Sequence, residues 1–261
     1  MTARVRFLLF SLIVLVLPGV IMASPDPQLG DLGKLVLILS PAIAGTVLNL
    51  GLGRRGEPTQ WRWIGFSALI TLAIAGTALA TSLAADVSAF DGVRSESPGA
   101  GAAMAATALT SLLEELGWAA GGLALALKAF GRRWGVVILG LVWAAWHLVP
   151  TFLKIGLFPE LEAASPLMLA SFVVGCVIYR ELLTRLVERS GSWLGAAAGH
   201  AAPNIMFAGF VASGLVFLMQ PEGWPLYPAP GGVVFTGLAL AAVWLLRRRG
   251  DGPAGPRAQP A

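Results

Sequence analysis

Long apolar runs alternate with short polar breaks along almost the whole chain. The runs fall near residues 6–23, 34–53, 63–85, 100–127, 135–153, 166–180, 192–218 and 232–246. A helix that crosses a bilayer takes ~20 predominantly apolar residues, so each run predicts a transmembrane helix. The first, behind Arg4 and Arg6, has the outline of a signal peptide. Ile21-Met22-Ala23 is a poor small-x-small cleavage site, however, and more apolar runs follow at once, so it reads as the first span. Pro41 predicts a kink in the second helix, and Trp61 and Trp63 are placed as interfacial anchors. Asp86–Gly99 reads as a loop. After the sixth run, RELLTRLVERS alternates leucines with charges at helical spacing and reads as an interfacial extension. Residues 250–261, rich in Pro and Gly, read as a disordered tail. The expected fold is an all-α polytopic membrane protein of about eight transmembrane helices, one integral-membrane domain over 1–261.

Composition supports that reading. Apolar residues make up 56% of the 261 and charged residues 12%, with a mean hydropathy of +0.76; a soluble domain carries about 25% charged residues. Little chain remains for a soluble domain. The sequence pI near 9.8 needs no nucleic acid, because the basic residues flank the apolar runs. With both termini in the cytoplasm, all 18 Lys and Arg residues except Lys34, Arg94 and Lys154 fall inside, Arg180, Arg185 and Arg189 among them, as the positive-inside rule asks. An odd number of spans would put Arg4 and Arg6 on the opposite side from Arg247, Arg248 and Arg249. The expected location is therefore the inner (plasma) membrane of a bacterium, multi-pass, with both ends cytoplasmic. Cys176, the single cysteine, reads as a small core residue.

The chemistry lies in three of the runs. Glu114 and Glu115 are adjacent in the fourth, His147 sits in the fifth, and His200 and Asn204 share one helical face in the seventh. An unpaired charge near the bilayer centre costs ~3 kcal/mol or more, which makes such residues functional candidates. Measured from the cytoplasmic helix ends at 1.5 Å per residue, Glu114 lies ~21 Å deep, His147 ~18 Å and His200 ~12 Å, so one layer can hold all three. Pro203 has no N–H, so the carbonyl of Gly199 loses its helical partner and can face a cavity. Two adjacent carboxylates, partly desolvated, resist ionising together, which suits a general base that activates water. One imidazole can help hold that water, and another with an amide at i+4 can donate to an oxyanion. Two histidines and a carboxylate are also a common catalytic zinc set. There is no HExxH, so the ligands Glu114, His147 and His200 would come from three helices. Spacing leaves both chemistries open. Trp118, Trp143 and Trp146 fit either a cleft lining or helix packing.

The three stretches Glu114 to Ala119 (EELGWA), Trp143 to His147 (WAAWH) and His200 to Asn204 (HAAPN) resemble the motifs EExxxR, FxxxH and HxxxN of the CPBP family. That family comprises the type II CAAX prenyl endopeptidases and their bacterial bacteriocin-processing and immunity relatives. The resemblance covers roughly 105–210. It implies an intramembrane endopeptidase of the CAAX protease-like type, with its active site in a buried membrane cavity. Such an enzyme hydrolyses a peptide bond of a membrane-associated or lipidated peptide. Glu114 would activate the water with help from His147, Glu115 would support it, and His200 and Asn204 would serve the oxyanion or a Zn2+ site. The implied partners are a peptide or protein substrate at the membrane and the bilayer itself. One position departs from the pattern: Ala119 stands where the motif has arginine. That substitution motivates the alternative of a catalytically impaired scaffold or immunity-type protein binding a peptide in the same cavity.

Overall fold

The computed structural model describes residues 1–49, 58–90, 99–217 and 221–248. Arg54, Arg55, Arg94, Arg249, Arg257, most of the Asp86–Gly99 loop and the 250–261 tail therefore lie outside the described residues. The chain runs through α1 (Ala3–Met22), α2 (Pro27–Asn49), α3 (Trp61–Ala84), β1 (Ser88–Phe90), α4 (Ala100–Glu115), a π-helical segment (Leu116–Gly122), α5 (Leu123–Phe152), the short α6 (Pro159–Glu162), α7 (Pro166–Ser190), α8 (Leu194–Ala212), β2 (Leu215–Phe217), a 3-10 turn (Pro221–Leu226) and α9 (Val233–Arg248). It is an all-α, multi-pass membrane protein. Among the described residues five helices are long and apolar enough to cross a bilayer, and one of these is the continuous 53-residue stretch Ala100–Phe152.

That stretch is not one rod. Gly131 adopts φ 75° and ψ 174°, a conformation glycine reaches without steric cost, and the chain doubles back there. A Cβ on Gly135 would stand 2.7 Å from the carbonyl oxygen of Ala126, whereas nine residues of straight helix would separate the two by ~13 Å. The stretch therefore supplies two antiparallel arms, 100–130 and 132–152, as the fourth and fifth apolar runs predict.

Local sequence sets most boundaries. Ser165 caps α7 by accepting from Met168 N at 3.3 Å, Pro166 occupies its first turn, and Gly191 closes it at φ 67°. Three expectations are corrected. First, α2 starts at Pro27 rather than near 34, because Asp26 accepts from Gln28 N at 2.9 Å and the Asp31–Lys34 pair at 3.0 Å lets a polar turn stay helical. Second, α8 stops at Ala212 rather than near 218; the chain then extends so that Leu215–Phe217 pairs antiparallel with Ser88–Phe90. Third, RELLTRLVERS is no interfacial extension. It completes α7, and Leu182, Leu183 and Leu186 are 0% exposed in the core.

The prolines are paid for by side chains from other helices. Pro41 deprives the Leu37 carbonyl of its helical partner, and Trp146 Nε1 and Ser40 Oγ each donate to that oxygen at 3.1 Å. Pro203 frees the Gly199 carbonyl in the same way. That carbonyl does not face a cavity as expected, because Tyr179 donates its hydroxyl to it at 2.8 Å.

One end of the bundle gathers the basic residues. Arg4 Nε donates to Ala129 O at 3.2 Å and Arg6 to Leu48 O at 3.1 Å. Arg132 binds Glu181 and Glu188, and Glu181 also holds Arg185 and Arg247. The i,i+4 pair Glu181–Arg185 is thus part of a network joining α5, α7 and α9. The β1–β2 pair and the connections around α6 and 227–232 lie at the other end.

Candidate active site

Glu114 and Glu115 are the last two residues of α4, immediately before the π-helical segment. Neighbours on a helix point about 100° apart, and the two carboxylates meet different surroundings. Glu115 is 0% exposed. It accepts two hydrogen bonds from Arg180, at 2.8 and 3.0 Å, and a third from His200 Nδ1 at 2.9 Å. Glu114 lines a cavity, and no hydrogen bond from the described residues engages its carboxylate. The pair that looks symmetrical in sequence is therefore one committed group and one available group.

The cavity, about 260 Å3, is lined by Glu114, His147, His200 and Asn204 together with Trp143 and Trp146. Every expected site residue except Glu115 thus faces one space, from α4, α5 and α8. Each histidine is held by its Nδ1. His147 Nδ1 lies 2.9 Å from the Trp143 carbonyl oxygen, and His200 Nδ1 meets the Glu115 carboxylate. Both partners are acceptors, so each neutral ring carries its proton on Nδ1 and leaves Nε2 as an acceptor. This changes the role open to His200, since a neutral ring in that tautomer cannot donate to an oxyanion. Asn204 can, and its Nδ2 now donates to Ser111 Oγ at 3.2 Å. The three tryptophans also divide. Trp143 and Trp146 form cavity wall, whereas Trp118, 0% exposed, packs edge-on against Phe10 and Trp146.

The residues present do not form a metal cage. Glu114, His147 and His200 share the cavity, but no three His, Cys, Asp or Glu side chains converge as a metal-holding group among the described residues.

Arg180 is a residue of the candidate site that sequence reading misplaced. It was expected in the cytoplasm as an orienting charge, yet it is 1% exposed, holds Glu115, and lies 4.2 Å above the Trp143 ring. The signal was available: Arg180 comes fourteen residues after the start of α7, ~21 Å along the helix, too deep for an interface. Tyr179, Ser111 and Glu160 also escaped notice. Tyr179 and Glu160 line the cavity, the latter from the α5–α7 connection.

Residues 97–206 match the family model described as type II CAAX prenyl endopeptidase Rce1-like. That segment of the chain is similar to Rce1-like domains. This agrees with the motif resemblance to the CPBP family, and no curated protein matches the sequence. The Rce1-like segment contains Glu114, Glu115, His147, Arg180, His200 and Asn204, while α1 to α3 and α9 lie outside it.

Proposed function

We propose that this protein is an integral-membrane endopeptidase of the CAAX protease-like type, acting on a membrane-associated or lipidated peptide. The observation that carries the reading is the uncommitted Glu114 carboxylate sharing one cavity with His147, His200 and Asn204. In the proposed step a water lies between two acceptors, Glu114 and His147 Nε2, with an oxygen lone pair left for the substrate carbonyl. Glu114 takes the proton as the oxygen attacks the carbonyl carbon. Asn204 donates to the resulting oxyanion, with His200 a second donor only as the imidazolium. The C–N bond then breaks, and Glu114 returns the proton to the leaving amine. Glu115 stays out of the reaction and fixes the His200 ring.

The scaffold reading rests on Ala119. The Arg180 guanidinium against Glu115 weakens it, because a cation holds a motif glutamate from a different helix. The test is cleavage of a membrane peptide library by purified protein. Loss of a general base costs roughly 10²- to 10⁴-fold in rate, so Glu114→Gln should abolish detectable cleavage, His147→Ala should lower it by releasing the water, and a chelator should leave it unchanged. Absence of cleavage by the unsubstituted protein sinks the enzyme reading, cleavage that survives both substitutions sinks the roles given to Glu114 and His147, and chelator-sensitive cleavage sinks the metal-free mechanism.

A further inference from the structure

The two ends of the bundle differ in charge and in access. At one end lie the start of α1, the turn at Gly131 and the far ends of α2, α7 and α9, joined by the arginine contacts above and by Gln60 N donating to Ser190 O at 2.8 Å. Of the described basic residues, Arg4, Arg6, Arg62, Lys128, Arg132, Arg133, Arg185, Arg189, Arg247 and Arg248 belong to this end, Lys34 and Lys154 to the other, and Arg180 to the interior. Such an excess marks a cytoplasmic face. The cavity belongs to the opposite end. Beyond the long helices, its walls come from Phe158, Glu160 and Leu161 in the α5–α7 connection and from Ala229 and Pro230 before α9. No residue of the arginine-rich end lines it. Between the cavity and that end the buried Glu115–Arg180 pair, Leu183 and Leu186, each at most 1% exposed, close the path.

We infer that the cavity is served from the non-cytoplasmic side of the membrane, and that its substrate is a peptide segment anchored at that surface. A cytosolic prenylated tail would meet the sealed, arginine-rich end. The fitting substrate class is the membrane-proximal segment of a lipidated or membrane-anchored protein exposed on the outer side. The substrate half of this inference rests on the endopeptidase reading; the sidedness half does not.

Sidedness can be read by cysteine labelling of the full chain in the plasma membrane of bacterial spheroplasts, with a membrane-impermeant sulfonated maleimide as probe. Native Cys176 is 1% exposed, so the unsubstituted protein gives the background. Ala163, in the α5–α7 connection, and Thr59, before α3, are both exposed. Ala163→Cys should label several-fold above background in intact spheroplasts, and Thr59→Cys only after lysis. The reverse pattern, or equal labelling of both before lysis, overturns the inference. If either variant fails to accumulate, Lys154→Cys and Arg248→Cys form a second exposed pair. Labelling needs no cleavage, so this result and the Glu114→Gln result can fail separately.

Discussion

Removing the Arg180 guanidinium would leave the Glu115 carboxylate buried with the His200 imidazole as its remaining partner. Breaking a buried ion pair from one side costs roughly 3–5 kcal/mol, so Arg180→Ala should lower the thermal midpoint steeply. Adding Ala119→Arg to Arg180→Ala returns a cation at the motif position, one turn beyond Glu115. The double variant should recover part of the midpoint if the role is simply to neutralise Glu115; no recovery would show that the α7 origin of the charge matters. The aromatic at the second motif fits the same account. Trp143 replaces the motif phenylalanine, and its ring carries the Arg180 guanidinium 4.2 Å from its centroid, the aromatic best suited to a cation. The motif residues could be read from their order in the chain. Which glutamate is available could not, because that depends on a cation sixty-five positions away.

The π-helical segment after Glu115 packs on α2 with almost no space between backbones. A Cβ on Gly117 would stand 2.1 Å from the Pro41 carbonyl carbon, and both neighbours are backbone and cannot swing aside. Overpacking of this kind typically costs 1–3 kcal/mol, so Gly117→Ala should lower the thermal midpoint, and more than Gly76→Ala in α3, where a Cβ meets nothing within 4 Å. Equal effects would show that the close approach is not needed. Asn49 steadies the same segment by donating to Ala120 O at 3.1 Å. Small residues let helices approach this closely, and α2 contributes Pro41 and Gly45 from outside the Rce1-like segment.

Across the whole molecule, the cavity mouth and the arginine network sit at opposite ends, and Glu160 stands at the mouth. Burial holds the Glu160 carboxyl above the usual carboxylate range, and nearby Glu162 adds to this. A carboxyl raised on folding keeps its proton more readily in the folded state, so stability is fullest at low pH and falls as pH rises through the raised value. Glu160→Gln should therefore remove part of the decline in thermal midpoint between the ordinary carboxylate range and neutral pH; an unchanged slope would show that Glu160 does not set it. The sequence by itself determined the membrane class, the rods, the family resemblance and most of the candidate residues, because hydrophobic length, breaker residues and motif order are local properties. Only the tertiary structure decided that Glu114 is free and Glu115 held, that Arg180 belongs to the site, and that Tyr179 and Trp146 satisfy the carbonyls freed by Pro203 and Pro41. Those outcomes depend on which distant helices meet, and the spacing along one helix carries no record of what packs against it.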